Sequence, residues 1–309
     1  MTEAQVEERV RARLQPALPL PGGGRTLQRW AELSATARED VVVGRLVEAH
    51  ADADAILAEV AGRRVTPGEW WGVWAAEPPR PVLTAERRAD GWVLDGTKAW
   101  CSGAGLCTHA LVTARVGDQR PLFAVDLRQP GVGVDLSGWR AAGMSRSATG
   151  AVSFDRVLAQ RVGAPDDYLH RAGFWHGAVG VAACWLGGAE RVADTLRRAG
   201  PRLDDHGAAH LGAVDAALAG ARWTLQAAAA EVDARPDDRA AGTVRALRVR
   251  TVVESAAVLT VNRVGRALGA TPLATDDGHT LAVADLLVYL RQSHAERDLA
   301  ALGRLVAET

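Results

Sequence analysis

Hydrophobic and polar positions change their rhythm twice along the chain. From Thr26 to about Gly62 the apolar residues follow a helical period: Val43, Leu46, Val47, Ile56 and Leu57 recur three, four or seven apart in alanine-rich surroundings, with His50 and Asp54 on the same spacing. From Trp70 to about Val162 short apolar runs replace that period. They are Trp70–Trp74, Trp92–Leu94, Ala110–Val112, Leu122–Val125, Val132–Val134 and Ala151–Phe154. Pro78-Pro79, Asp95-Gly96, Gly117-Asp118 and Pro130-Gly131 punctuate them, which predicts an antiparallel β-domain of sandwich or barrel type. Beyond Asp166 the helical period returns in four long stretches, Gly173–Ala199, Ala208–Ala234, Arg239–Leu268 and Leu281–Val306, separated by Gly- and Pro-containing loops. Short connections between four such helices predict an up-down bundle.

The fold class expected is therefore α+β and mainly α. A short helical amino-terminal region (1–68) precedes a central antiparallel β-domain (69–165) and a carboxy-terminal four-helix bundle (166–309). Residues 1–25, with Pro21-Gly-Gly-Gly24, predict a short helix and then a flexible lead. Within the β-domain, Asp95-Gly96 between β-prone runs predicts a tight hairpin turn, since a type I′ turn needs positive φ at both central positions.

The stretch around that turn carries the chemistry. Gly91 to Gly103 reads Gly-Trp-Val-Leu-Asp-Gly-Thr-Lys-Ala-Trp-Cys-Ser-Gly, and its Cys101-Ser102-Gly103 exit lets a backbone or flat ligand approach closely. Lys98 is the only lysine of the chain. The stretch resembles the G-x-x-(L/I)-(N/D)-G-x-K-x-(W/F)-(I/C)-(T/S)-(N/G) hairpin of the acyl-CoA dehydrogenase superfamily. A second stretch, Gly143-Met-Ser-Arg-Ser-Ala-Thr149 followed by Ala151-Val-Ser-Phe-Asp155 and Val157, is similar to that family's G-(M/I)-R-G-S-x-T and V-x-F-(D/E)-x-V. The order of helices, β-domain and four-helix bundle is also the family's.

The resemblance implies FAD at a subunit interface, with Trp100 and Ser102 against the flavin ring and Cys101 between them. It implies an oxidoreductase acting on CH–CH groups, a small-molecule substrate such as an acyl-CoA thioester, and a homodimer or homotetramer. The family's Arg and Phe-Gly between the first two bundle helices are matched by Arg202 without Phe-Gly, and its Q-x-x-G-G by Arg266-Ala-Leu-Gly269-Ala270. The T-E-P-x-x-G-S-D loop is reduced to Ala76-Glu77-Pro78-Pro79. The Glu-Gly-Thr that carries the family's base is absent, its place falling near Arg291-Gln-Ser-His294. Glu296 and His176 are the candidate catalytic groups, His176 because it follows Phe174-Trp175 at a helix start and imidazole titrates near neutrality. These erosions support a second expectation, a redox-inactive structural or regulatory subunit paired with an active paralogue.

Composition narrows the setting. The chain has 309 residues, a formal net charge of −1 and 48% hydrophobic residues, which gives it no electrostatic footprint for nucleic acid. No apolar run approaches about 18 residues, so no transmembrane helix is predicted. Three cysteines (Cys101, Cys107, Cys184) with no C-x-x-C pair, and an acidic amino terminus, predict a reduced, cytoplasmic protein. Cys101, Cys107 and His109 fit no standard metal-site spacing, and no metal is expected.

Overall fold

The computed structural model describes residues 2–308. Its residues group into two compact units: one of 1–18, 46–140 and 145–174, the other of 19–45, 141–144 and 175–309. Each is described in its own terms.

The first unit is built on strands β1 (Trp71–Trp74), β2 (Leu83–Arg88), β3 (Gly91–Cys101), β4 (His109–Thr113), β5 (Leu122–Asp126), β6 (Val132–Asp135) and β7 (Gly150–Val162). They pair in the order β1-β4-β5-β7-β3-β2, with β6 beside β7. All pairings are antiparallel except β1 with β4. That parallel pair departs from the purely antiparallel expectation, because the β2–β3 hairpin is inserted between the two strands and returns the chain in its original direction. The sheet curls on itself, for Ala85 N–H donates to the Arg115 carbonyl at 2.9 Å and Arg115 N–H to Leu83 at 2.8 Å. Inside lie Trp74, Leu94, Val112, Phe123, Val152 and Phe154, all nearly inaccessible.

The hairpin turn falls at Ala89-Asp90, ahead of the predicted Asp95-Gly96. Arg88 pairs Gly91 across it and β2 then runs alongside β3 as far as Leu83–Gly96. Asp95-Gly96 serves the interior of a long strand instead. The Gly96 position (φ 115°) needs a residue without a side chain, since a Cβ there would lie 2.4 Å from the Val82 carbonyl oxygen. Strand β2 itself was not anticipated, as Leu83-Thr-Ala-Glu-Arg-Arg buries only Leu83 and Ala85.

Lys98 is 3% exposed inside this sheet. Its ammonium donates to the Thr113 carbonyl at 2.8 Å and hydroxyl at 2.7 Å, and pairs with Glu77. Burial lowers the Lys98 pKa from its ordinary value, and the hydrogen bond and charge of Glu77 offset part of that.

Helix α1 (Glu3–Arg11) belongs to the same unit. Helix α3 (Val41–Ala61), which follows α2 (Thr26–Glu39), lays Ala53, Ile56 and Leu57 on Trp71, Leu111, Leu122 and Val162. Asp40 separates α2 from α3. Its backbone is extended and its carboxylate accepts the N–H groups of Val42 (2.9 Å) and Val43 (3.1 Å), so the single predicted helical stretch is two helices. A short helix α4 (Asp167–His170) closes the unit's sequence.

The second unit contains α5 (Gly173–Ala199), α6 (Asp205–Ala234), α7 (Arg239–Leu268), the one-turn α8 (Thr271–Thr275), α9 (Asp277–Tyr289) and α10 (Glu296–Ala307), and it also takes in α2. The first three match the predicted bundle helices closely. The fourth does not. It breaks between Leu290 and Ala295, where Ala295 has φ 45° and Ser293 is extended. Leu281–Val306 has no proline to announce this, and its one local signal is the Ser-x-x-Glu spacing of Ser293 and Glu296. The glycine lead is not flexible either: Asp233 of α6 accepts Gly24 N–H (3.0 Å), Thr26 N–H (3.1 Å) and the Thr26 hydroxyl (2.6 Å).

Close helix contacts explain the glycines of α5. A Cβ at Gly187 would lie 2.0 Å from the Ser34 carbonyl of α2, whereas one at Gly212 of α6 meets nothing within 4 Å. Gly187→Ala should therefore lower unfolding stability by roughly 1–3 kcal/mol, and Gly212→Ala should leave it unchanged or raise it by up to about 1 kcal/mol. Urea denaturation of the two variants measures both, and equal effects would contradict the contact. By the same method Lys98→Met should cost roughly 2–3 kcal/mol, less than a fully buried pair because the Glu77 side chain is 25% exposed.

Candidate functional site

Two β-bulges shape the strand that carries the first motif. Between Lys98–Val152 and Cys101–Gly150, strand β3 spends two residues, Ala99 and Trp100, against one, Ala151, on β7. Between Leu94–Val157 and Gly96–Phe154 the extra residue is on β7, where Arg156 has φ 53°. At the first bulge Trp100 takes φ 60°, the left-handed region, at a cost of roughly 1–2 kcal/mol for a residue with a side chain. Bulges re-aim side chains and recur beside active sites. Here the result is a Trp100 ring that is 60% exposed, although the same strand buries Leu94, Lys98 and Cys101.

The surroundings of Trp100 are fixed. The Trp139 ring meets it edge-on at 6.2 Å between centroids. Ser102 is half-buried, and its carbonyl accepts the indole N–H of Trp74 at 3.0 Å. Gly103 (φ 73°) packs so closely that a Cβ would stand 2.9 Å from the Cys107 sulfur. Its N–H donates to the Ser147 carbonyl at 2.9 Å, so the two sequence motifs, distant in the chain, meet at this turn. Ser147 and Thr149 are buried and share a hydroxyl hydrogen bond of 2.7 Å.

Cys101, between Trp100 and Ser102, is fully buried and its thiol points to the Lys98 carbonyl at 3.3 Å. Burial pushes the thiol well above its ordinary pKa, with the Lys98 charge opposing, and so works against a thiolate there. The Cys101 side chain packs in the interior of the sheet. Lys98, two residues before Trp100, anchors the strand from below and was not assigned a role from the sequence. The one available signal was its being the sole lysine among arginines.

The remaining candidates lie in the second unit and are not gathered into one cluster by the contacts seen. His176 is 4% exposed in the first turn of α5, and its Nε2–H donates to the Pro236 carbonyl at 2.9 Å, tying down the α6–α7 turn. Glu296 is exposed in the first turn of α10. Arg202 is exposed on the 3-10 turn Gly200–Arg202 between α5 and α6. Arg266 is exposed in the last turn of α7, and Gly269 (φ 66°) is that helix's C-cap, its N–H donating to the Gly265 carbonyl at 2.9 Å. Where the resemblance puts a base, the Ser293 hydroxyl donates to Glu254 at 2.6 Å and Arg291 stands 3.6 Å from the other oxygen of that carboxylate.

A strained, exposed indole beside a rigid, small-residue turn offers a stacking face and a hydroxyl two residues further on. Trp223 on α6 is as exposed (67%) but sits in ordinary helix, so exposure alone does not single out Trp100.

Known proteins resemble the chain in fold. Residues 78–157 match the family model described as acyl-CoA dehydrogenase, middle domain. A search of curated protein sequences finds no match. Among solved structures, TdsC from Paenibacillus sp. A11-2 with FMN and indole superposes with a TM-score of 0.77 at 18% identity, over 97% of this chain and 94% of that one. KijD3 in complex with FMN and dTDP-3-amino-2,3,6-trideoxy-4-keto-3-methyl-D-glucose gives 0.76 at 21% identity, over 91% and 79% of the two chains. Butyryl-CoA dehydrogenase from Megasphaera elsdenii gives 0.77 at 16% identity, over 89% and 80%. The chain has the acyl-CoA dehydrogenase-like fold, with a match to that family's middle domain over the strands that carry Lys98, Trp100 and Ser102.

Proposed function

We propose that the protein is a flavin-dependent oxidoreductase that seats the flavin ring on Trp100 and Ser102. The observation that carries this reading is the bulge at Ala99-Trp100, which spends backbone strain to hold an apolar ring in water. Covering an indole exposed to this extent is worth roughly 2–3 kcal/mol at about 25 cal/mol per Å². A flavin, when bound, supplies a two-electron redox couple. The chain's own residues provide the stacking face (Trp100), a hydroxyl at the ring edge (Ser102) and a strand held in register by Lys98. The resemblance assigns Arg202, Arg266 and Gly269 to the cofactor of a neighbouring subunit, and both arginines are exposed. The resemblance makes the flavin FAD, whereas TdsC and KijD3 are complexes with FMN. The substrate is a small molecule. With no Glu-Gly-Thr and with Glu254 engaged by Ser293 and Arg291, the reading favours oxidation that does not rest on a carboxylate removing an α-proton. A homodimer or homotetramer belongs to the same reading, supported by Trp223, Val252 and Val258 exposed on α6 and α7.

Purified protein passed through gel filtration should retain the visible absorption band of a flavin, and chromatography of the released cofactor distinguishes FMN from FAD. Trp100→Ala should weaken flavin binding by at least about tenfold, and Ser102→Ala should do so by less. A colourless protein that stays apo with excess FMN and excess FAD would overturn the reading in favour of a redox-inactive subunit. Unchanged flavin content in both variants would overturn the placement.

A further inference from the structure

Strand β6 ends beside the bulge that exposes Trp100. Asp135, the last residue of β6, pairs with Ala151 of β7, and Ala151 is the residue that faces Ala99 and Trp100 from the other edge of the same strand. The chain therefore leaves β6 one strand away from Trp100. It then turns sharply. The Asp135 carboxylate accepts the Ser137 N–H at 2.9 Å, and the Trp139 N–H donates to the Leu136 carbonyl at 3.2 Å. This turn carries the Trp139 ring past the start of β7 to the Trp100 ring, where the two planes stand at 78° with 6.2 Å between centroids.

The sequence of the neighbouring segments makes room for that path. A Cβ at Gly150 would collide with the Asp135 carbonyl oxygen and stand 2.8 Å from Leu136 Cδ2. A Cβ at Gly105, in the turn after Ser102, would stand 3.4 Å from the other methyl of the same leucine. Two glycines, one beside each of the motif stretches, thus seat Leu136 and fix the turn behind it.

A hydrophobic core does not account for Trp139. Leu136, Ser137, Gly138 and Arg140 around it are exposed, and the indole itself is half-buried. Aromatic pairs favour the edge-on arrangement seen here, and between rings that water still reaches the contact fixes orientation more than it adds burial. Trp100 needs such a hold. Its backbone is already strained at φ 60°, and a ring that is 60% exposed has few neighbours to select one rotamer.

We propose that Trp139 is a positioning residue for the bound flavin: it sets the plane of the Trp100 indole, and the open remainder of that indole receives the flavin ring. The inference rests on the flavin reading above. It adds that the stacking face is held in place before the ligand arrives, so that binding does not have to immobilise it.

Titration of the full-length wild type, Trp139→Leu and Trp139→Phe with FMN and with FAD, read by flavin emission and set beside urea denaturation, tests this. An indole stacked on a flavin quenches its emission by electron transfer, so the emission of bound flavin reports whether Trp100 keeps its plane. Trp139→Leu should weaken flavin binding about fivefold, the order of one aromatic pair, and raise the emission of the flavin that does bind. Trp139→Phe, which restores an edge-on ring, should return both toward the wild-type values. In a Trp100→Ala background Trp139→Leu should change neither, because the two residues act as a unit. A Trp139→Leu variant with wild-type affinity and emission would overturn the proposal. So would a loss that Phe does not rescue, that persists without Trp100, or that only follows a drop in the urea midpoint. A wild type that binds neither FMN nor FAD sinks the flavin reading and this one with it. A wild type that binds flavin while the Trp139 variants behave like it sinks this one alone.

Discussion

One ammonium group organises the β-unit. Lys98 reaches from β3 to the Thr113 carbonyl and hydroxyl on β4 and to Glu77 on the segment leaving β1. Three backbone segments that are distant in sequence are thereby held at one point. Hydrophobic packing opposes a one-residue slip, which turns every side chain to the other face, but is comparatively indifferent to a two-residue slip that keeps the face. A buried cation with three fixed acceptors is not. Such a slip would strand the charge without partners, at a penalty far above that of misplacing a methyl group. Register at Lys98 is thus specified, and with it the position of everything two to five residues further along β3.

That specificity has a local consequence. Directly after Lys98 the ladder gives way to the bulge at Ala99-Trp100, and pairing resumes at Cys101–Gly150. Pairing pinned on both sides of an extra residue leaves that residue no route to relax, so Trp100 keeps φ 60° and its ring stays outward. Strain of this kind persists only where the surroundings over-determine it, and such places cluster at ligand sites. The buried thiol of Cys101 and the tight Gly103 turn complete the clamp from the far side. Lys98 and Trp100 therefore act as a pair: the first removes the freedom that the second would otherwise use.

The sequence made the order of elements legible because the change of hydrophobic period at Trp70 and again near Asp166 is abrupt, and β1, β4, β5, β7, α5 and α7 lie close to where the apolar runs place them. What escaped it were features set by partners remote in the chain. Asp95-Gly96 has the chemistry of a hairpin turn, yet its glycine answers to the Val82 carbonyl, and nothing local distinguishes the two demands. The Gly22–Gly24 segment reads as loose because the carboxylate that fastens it, Asp233, comes from α6. His176 reads as poised because the Pro236 carbonyl that engages it is 60 residues away. Trp100 and Ser102 were legible as a motif, but the bulge that exposes the ring depends on the register with β7. Lys98 carried the strongest structural role and the weakest sequence signal.

The break in the last long helical stretch has a local cause. Continuous helix through Leu281–Val306 would satisfy every backbone group and needs no special residue, so the interruption at Ser293–Ala295 has to be stabilised by something else. Ser293 provides it twice, donating its hydroxyl to Glu254 and accepting the Ala295 N–H at 3.1 Å, while Asp298 lies 3.4 Å from the His294 ring. This is the place where the resemblance puts a base, and here a serine holds the interrupted backbone from both sides, its hydroxyl engaged with Glu254 and its oxygen receiving the Ala295 amide.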